Sequence, residues 1–198
     1  DNSSKAFKVE DITAVKNEVE NVKAVAAENS STVNLIYSNK SYSSRIIGTN
    51  NDYFIIRDWE LTSGRVFDES ELDSGKASCI LGTTIVKQLF DDENPLDEKI
   101  RLKNFSCTVI GVLQSKGAST FGTDQDEIVI VPLSMLQRKI KGDKDVSSIL
   151  ISIDNSDNIE KAKKDITTLM QERRNIKVGE TDNFHIRDTQ DLLSTMTS

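Results

Sequence analysis

The sequence has little positive charge, few cysteines and no long apolar run. Its 198 residues include 25 basic and 32 acidic ones, for a formal net charge of -7. It therefore lacks the basic stripe that neutralises the phosphates of a nucleic acid, and no nucleic-acid partner is expected. Nowhere do roughly 18 apolar residues follow one another, so we expect no membrane span within these residues.

The motifs of common catalytic sites are also missing. The chain contains no phosphate-binding loop, no Gly-x-Gly-x-x-Gly turn and no Gly-x-Ser-x-Gly nucleophile elbow. These absences argue against an ATPase or a serine hydrolase within this segment. His185 is the only histidine, and its strand-like surroundings favour a structural or exposed side chain over a metal ligand.

Three acidic residues of a polar loop, Asp124, Asp126 and Glu127, superficially suggest a calcium site. The spacing of an EF-hand loop is absent. We interpret these carboxylates as solvated loop residues, and we predict no metal and no cofactor in this segment.

Two cysteines, Cys79 and Cys107, lie in short strand-like runs. An even count permits one disulfide, but two cysteines cannot form a four-ligand zinc site, and no Cys-x-x-Cys redox motif is present. We expect two small buried hydrophobic side chains, with a disulfide as the alternative.

Hydrophobic periodicity predicts an α+β fold. Strand–helix units occur near both ends of the chain and bracket a β-rich middle. The expected helices cover residues 9–22, 83–90, 132–141 and 159–169, with a further helix beginning at Leu192. The expected strands cover residues 22–27, 32–37, 41–48, 77–81, 99–102, 105–113, 128–131, 147–153 and 183–186, with a turn at 28–31.

Six short motifs follow one another through the middle of the chain. They run from Gly48 to Phe54, Trp59 to Phe67, Ile80 to Phe90, Asn94 to Arg101, Cys107 to Gly117 and Phe121 to Asp126. Their order and spacing resemble the extracytoplasmic core domain of MacB-type (MacB/FtsX-like) ABC transporter permeases. Two departures are that cysteines stand where the family usually has valine or threonine, and that no glycine follows Pro95 closely.

The resemblance implies a discontinuous architecture. A porter-like subdomain would comprise residues 1–57 and 145–198, and a sabre-like subdomain would be inserted as residues 58–144. Both ends of the chain read as cut, because Asp1 to Lys5 is polar without a start methionine and Thr195 to Ser198 is polar without a Gly or Pro terminator. The resemblance agrees with this expectation, since in such permeases this domain lies between the first and second transmembrane helices, outside the cytoplasmic membrane.

The resemblance also implies a function without catalysis. The domain would transmit motions driven by a cytoplasmic ATPase, which alone would use ATP and magnesium, and would dock an adaptor (membrane-fusion) protein. The second permease subunit of a homodimer is a further implied partner, and the exported cargo would be drugs, peptides or toxins.

A polar, glycine-rich loop is the candidate docking surface. Its candidate residues are Lys116, Phe121, Asp124, Gln125 and Asp126. An exposed aromatic is typical of interface hot spots, although Phe121 packed back onto the domain is an equal alternative.

Three residues of the second motif, Trp59, Gly64 and Phe67, are interpreted as structural: two buried aromatics around a turn that needs glycine. Two other functions stay open at this point. One is an extracytoplasmic module that binds peptide or lipoprotein, like the LolC-like relatives. The other is a secreted acid/base hydrolase that uses residues such as Glu69 or Asp92.

Overall fold

The computed structural model describes residues 5–188, which form eight strands and six α-helices. The strands are β1 (Val22–Tyr37), β2 (Lys40–Thr49), β3 (Leu61–Gly64), β4 (Ser78–Leu81), β5 (Lys99–Leu102), β6 (Phe105–Leu113), β7 (Ile128–Pro132) and β8 (Ser148–Ile153). The helices are α1 (Val9–Glu18), α2 (Asp52–Ile56), α3 (Glu69–Ser74), α4 (Thr83–Phe90), α5 (Leu133–Met135), which continues as a π-helix over Leu136–Lys141, and α6 (Ile159–Arg173), which follows a 3-10 turn over Ser156–Asn158. The α+β class expected from the sequence is confirmed.

The longest strand, β1, changes partners half-way along its 16 residues. Up to Glu28 it pairs antiparallel with β8. From Asn29 onward it pairs antiparallel with β2, and near its end it also pairs with β5. One continuous strand therefore belongs to two parts of the sheet.

The turn expected at residues 28–31 is wrong, because these polar residues lie at the point where β1 changes partners. Asn29 is buried, and its side-chain amide donates to the carbonyl oxygen of Asp145 at 3.0 Å. Its amide oxygen accepts from the backbone N–H of Ser30 at 2.8 Å. Turn-forming residues are tolerated here because they bond to the segment that precedes β8 rather than reverse the chain.

Six strands close into a barrel. Around its circumference the order is β1, β2, β7, β4, β6 and β5, which returns to β1. The β2–β7 and β4–β6 pairs are parallel, and the other four are antiparallel. The barrel includes residues 29–49, which the sequence assigned to the porter-like part, so residues 58–144 do not form it alone. The subdomain boundaries stay a prediction.

The barrel interior is apolar and contains a disulfide. Side chains from all six strands and from α4 fill it, among them Leu35, Leu81 and Phe90. Cys79 on β4 and Cys107 on β6 are bonded there, with their Cα atoms 5.9 Å apart. The expectation of two free buried cysteines is therefore wrong, because parallel pairing of β4 and β6 brings the two side chains together inside the barrel.

The outer face of β4 and β7 is buried as well. Ile80, Ile128 and Ile130 face a second apolar cluster that contains Trp59 and Phe67. Because both faces of these strands are covered, residues 79–81 of β4 and 128–131 of β7 are continuously apolar rather than alternating.

Helices α1 and α6 cover the sheet formed by β8 and the first half of β1. Val15 of α1 and Ile166 of α6 share one apolar cluster with Val25 of β1. The guanidinium Nε of Arg173 donates to the Asp11 carboxylate at 2.7 Å and joins the two helices. The ends of the described chain thus form one layer.

The strand expected at residues 183–186 does not form. The carbonyl oxygen of Asn183 accepts from Lys5 and from the Arg174 guanidinium instead of from a strand. Phe184 is nevertheless buried, and the Arg174 guanidinium lies 5.7 Å from its ring centroid. The helix expected from Leu192 lies outside the described residues.

Candidate docking site

The five predicted docking residues lie on one loop between β6 and β7. We call residues 115–126 of this loop the finger. Ala118 and Asp124 are bridged across it, and the N–H of Ser119 donates to the carbonyl oxygen of Thr123 at 2.7 Å. Gly122 makes the reversal with φ of 80°, a conformation that glycine adopts without strain. The finger is therefore a short hairpin with a defined shape.

The base of the finger is closed by Asp126, which is only 4% exposed. One carboxylate oxygen accepts from the N–H of Lys116 at 2.8 Å, and the other accepts from the Ser115 hydroxyl at 2.8 Å and the Gly117 N–H at 2.9 Å. Asp126 was predicted as a docking residue, but its carboxylate is occupied inside the finger.

The environment of Asp126 favours its charged form. Burial alone raises the pKa of this carboxyl group, but the N–H groups of Lys116 and Gly117 and the Ser115 hydroxyl outweigh burial. The pKa of Asp126 therefore lies below its ordinary value.

The neighbouring acidic residues are not merely solvated, as the sequence suggested. The Thr84 hydroxyl at the start of α4 donates to the Asp124 carboxylate at 2.6 Å, and the Tyr42 hydroxyl of β2 donates to Glu127. The first bond attaches the finger to α4, and the second attaches the residue that follows the finger to β2. Within residues 5–188 no group of three or more His, Cys, Asp or Glu side chains is arranged to hold a metal ion.

The tip of the finger carries Phe121. Its side chain is 65% exposed, so it does not pack back onto the domain. Gln125 stays at the base, where its backbone N–H donates to the carbonyl oxygen of Gly117 at 3.1 Å. The geometry presents one exposed aromatic on a hairpin whose base is fixed.

Lys116 lies against the protein. Its ammonium donates to the carbonyl oxygen of Arg57 at 2.6 Å and sits 5.0 Å from the centre of the Trp59 ring. The Trp59 indole N–H in turn donates to the carbonyl oxygen of Gln114 at 2.8 Å. Lys116 and Trp59 therefore join the finger to the segment after α2.

A pocket of about 280 Å³ opens beside the finger. Two arginines from other elements, Arg45 of β2 and Arg57 after α2, line it together with Lys116, Tyr53 and Trp59. Neither arginine could be predicted from the sequence, because each is a single cation without a motif and only the fold brings them to the finger.

The buried hydroxyl of Tyr53 belongs to this pocket. Burial raises its pKa, and the nearby guanidinium of Arg57 offsets only part of that rise. The hydroxyl therefore stays protonated near neutral pH and adds a hydrogen-bond donor to the pocket.

The second motif has a structural role, as predicted. Trp59 and Phe67 are buried, and Gly64 has φ of 81°. A Cβ atom at Gly64 would lie 2.1 Å from the carbonyl oxygen of Ile110, so no other residue fits there. The motif's arginine, Arg65, donates to the buried Glu71 carboxylate at 2.6 Å.

Gly82, which follows the end of β4 in the third motif, keeps the base of the finger close to the barrel. A Cβ atom at Gly82 would lie 2.1 Å from the carbonyl oxygen of Asp126. A larger residue at position 82 would therefore push the base of the finger away from β4.

A second cavity, of about 400 Å³, lies between β8, α6 and residues 184–188. Its apolar wall includes Ile151, Ile166 and Met170. His185, the only histidine, is exposed at its edge.

Comparison with known proteins identifies the family. The sequence profile described as "MacB-like periplasmic core domain" matches residues 1–169. The chain belongs to this family. The MacB-like domain therefore lies outside the cytoplasm and is a part of an ABC transporter permease. The family to which this domain belongs is a family of transporter domains and not of enzymes.

Curated relatives carry the name "Macrolide export ATP-binding/permease protein MacB". The protein of Rhodospirillum rubrum is 35% identical over 77% of this chain, and that of Chlorobium phaeobacteroides is 30% identical over 96% of it. The MacB-like domain spans 23% and 28% of the lengths of these two relatives.

Solved structures share the fold. The periplasmic region of MacB from Actinobacillus actinomycetemcomitans matches with a TM-score of 0.81 at 24% identity, over 96% of this chain and 83% of that one. The extracellular domain of the ABC-type transporter YknZ from Gram-positive bacteria matches with a TM-score of 0.77 at 23% identity, over 92% and 90%. Within residues 5–188 no helix is both long and apolar enough to cross a membrane.

Proposed function

We propose that the MacB-like domain docks an adaptor protein outside the membrane and transmits ATP-driven motion of the parent permease to it. The observation that carries the proposal is the finger, which presents an exposed Phe121 on a hairpin fixed by Asp126. An exposed aromatic on a preorganised loop contributes contact area at low entropic cost. ATP and magnesium would act in another part of the parent transporter.

The path of β1 supports the transmission of motion. This strand is continuous from the layer with α1 and α6 to the barrel that bears the finger. A displacement of the α1–α6 layer is therefore passed to the barrel through a hydrogen-bonded strand rather than through a flexible linker. We also propose that the parent permease forms a homodimer. The fingers of its two subunits would then move together.

The names of the relatives suggest the cargo. They are called macrolide exporters, and we propose that the parent transporter exports drugs of this kind, or peptides or toxins. Export would depend on docking, so both are lost together when the finger is altered.

The test uses the full-length transporter and a candidate adaptor (membrane-fusion) protein of the same organism. Phe121→Ala and Asp124→Ala should weaken adaptor association and raise macrolide susceptibility of the cells. Val178→Ala, which truncates another exposed apolar side chain, is the matched control and should change neither. If both finger variants associate and export like the parent, the docking role is wrong.

A second candidate is a binding module for peptide or lipoprotein. The apolar cavity between β8 and α6 favours it, because apolar walls suit an acyl chain or an apolar side chain. Saturable binding of a lipopeptide to the isolated chain, lost in Ile151→Asn, would support this function over docking at the finger.

A further inference from the structure

The pocket beside the finger differs in charge from the rest of the molecule. The chain as a whole has a net charge of -7. The pocket nevertheless gathers three cationic side chains, Arg45, Arg57 and Lys116, and no carboxylate lines it. They come from three separate segments, so their convergence is a property of the fold and not of a local basic run.

These cations are only weakly neutralised. Among residues 5–188, neither Arg45 nor Lys116 forms an ion pair with a carboxylate. Arg57 has one carboxylate neighbour, Glu28, at 3.8 Å, which is too long for a hydrogen bond. Positive charge is thus available for a ligand.

Two of the cations are held in place by uncharged groups. The Lys116 ammonium is bonded to a carbonyl oxygen and lies over the Trp59 ring, and it keeps N–H donors that this one bond does not use. The Arg57 guanidinium lies 5.6 Å from the centre of the Tyr53 ring. Cations fixed in this way bind an anion with less loss of side-chain freedom.

We propose that this pocket binds a carboxylate group, supplied by an acidic side chain of the protein that docks on the finger. Guanidinium groups match the planar, two-oxygen shape of a carboxylate. Ser119, Thr123 and Gln125 of the finger also line the pocket and add polar side chains to it. A partner that contacts Phe121 therefore has a place for an acidic residue next to its apolar contact.

The claim that a docked protein supplies the carboxylate rests on the docking role proposed above. The claim that the pocket binds a carboxylate rests only on the residues of the pocket. The two parts are tested separately. The first test uses the 198-residue chain and free carboxylates, and the second uses the assembled transporter.

The first test exploits Trp59, the only tryptophan of the chain, which lines the pocket. Its fluorescence is followed during titration with sodium glutarate, and with sodium chloride at matched ionic strength. We expect a saturable change with glutarate alone, weaker as the ionic strength is raised. A response that does not saturate, or that chloride reproduces, would overturn the inference.

Charge-removing variants then locate the site. Arg45→Gln removes a cation without removing any ion pair and should weaken glutarate binding about two- to fivefold, the upper part of the range for one exposed ion pair. Arg101→Gln removes an exposed strand arginine on β5, outside the pocket, and should bind like the parent. Equal weakening by both variants would show a general charge effect and overturn the assignment.

The second test asks whether the carboxylate belongs to the adaptor. In the full-length transporter, Arg45→Glu should weaken association with the purified adaptor at least tenfold, whereas Arg101→Glu should not. If glutarate binds but Arg45→Glu leaves association unchanged, the partner source is wrong. If Phe121→Ala weakens association while glutarate does not bind, docking stands and the pocket inference fails.

Discussion

Cys79 and Cys107 are bonded inside the barrel and join β4 directly to β6. Both side chains are fully buried. The bond therefore reinforces the pair of strands from which the finger and helix α4 extend.

Loss of this disulfide should destabilise the isolated chain. The bond closes a loop with a sequence separation of 28 residues, and the chain-entropy argument gives about 3–4 kcal/mol for such a loop. The free energy of unfolding in urea should fall by that amount when the parent chain is treated with a reductant. In Cys79→Ala/Cys107→Ala the reductant should have no effect. A parent chain whose stability is the same with and without reductant would contradict the bond.

The Glu71 carboxylate is buried and accepts from the Arg65 guanidinium at 2.6 Å and from the N–H of Asp68 at 2.9 Å. Glu71→Gln should lower the free energy of unfolding by about 1–3 kcal/mol, because it removes the buried carboxylate charge that pairs with the Arg65 guanidinium. Glu69→Gln, an exposed neighbour on the same helix, should change it by less than about 0.5 kcal/mol. Equal effects in urea unfolding would show that the Arg65 contact contributes nothing.

Asp126 should make the free energy of unfolding depend on pH in the acidic range. Its pKa is lowered in the folded chain, so its contribution is complete above the unfolded value of about 3.9 and is lost as the pH falls through the folded value. Asp126→Asn should be about 1–3 kcal/mol less stable than the parent at pH 7. The gap should narrow when the pH is lowered from about 5 to 2.

The control for this pH dependence is Asp92→Asn, which alters an exposed carboxylate. Its stability should follow that of the parent at every pH. A gap between parent and Asp126→Asn that stays constant down to pH 2 would mean that the carboxylate charge is not what the finger needs. Urea unfolding at each pH, followed by Trp59 fluorescence, measures both variants.

Strands buried on both faces could be predicted from the sequence. The runs 128–131 and 79–81 are continuously apolar because α4 and the barrel interior cover one face and the aromatic cluster around Trp59 covers the other. The turn predicted at residues 28–31 is wrong because the polar pattern there has a cause that lies outside the local sequence. Its polar residues are explained by a change of strand partner, which no local pattern encodes.

The site could be predicted only in part. Glycine and polar residues marked the finger as a loop, and Phe121 proved to be exposed. The structural role of Asp126 was missed because its three donors come from the far side of the hairpin. Arg45 and Arg57 were missed because nothing in the sequence indicates that β2 and α2 border the finger.

Substitutions at Gly64 and Gly117 distinguish the backbone strain of a positive φ from the steric clash of an added Cβ atom. Both have positive φ, but an added Cβ would clash with a carbonyl oxygen at Gly64 and would meet nothing within 4 Å at Gly117. Gly117→Ala should therefore cost only the conformational strain, about 1 kcal/mol. Gly64→Ala should cost about 3 kcal/mol or more, or prevent folding, as measured by thermal and urea unfolding. Equal costs would mean that β3 moves away from β6 to accept the methyl group.

Arg173 and Asp11 connect α6 to α1 across most of the chain length. The Asp11 carboxylate accepts from Arg173 at 2.7 Å and from the N–H of Lys8 at 2.8 Å, so it both pairs the helices and caps α1. A double-mutant cycle with Asp11→Asn and Arg173→Gln should give a coupling energy of about 1 kcal/mol, since the pair is half-shielded from water. Asp11→Asn alone should cost more than Arg173→Gln, because only it weakens the cap. A coupling energy of zero would mean that apolar packing alone holds α1 against α6.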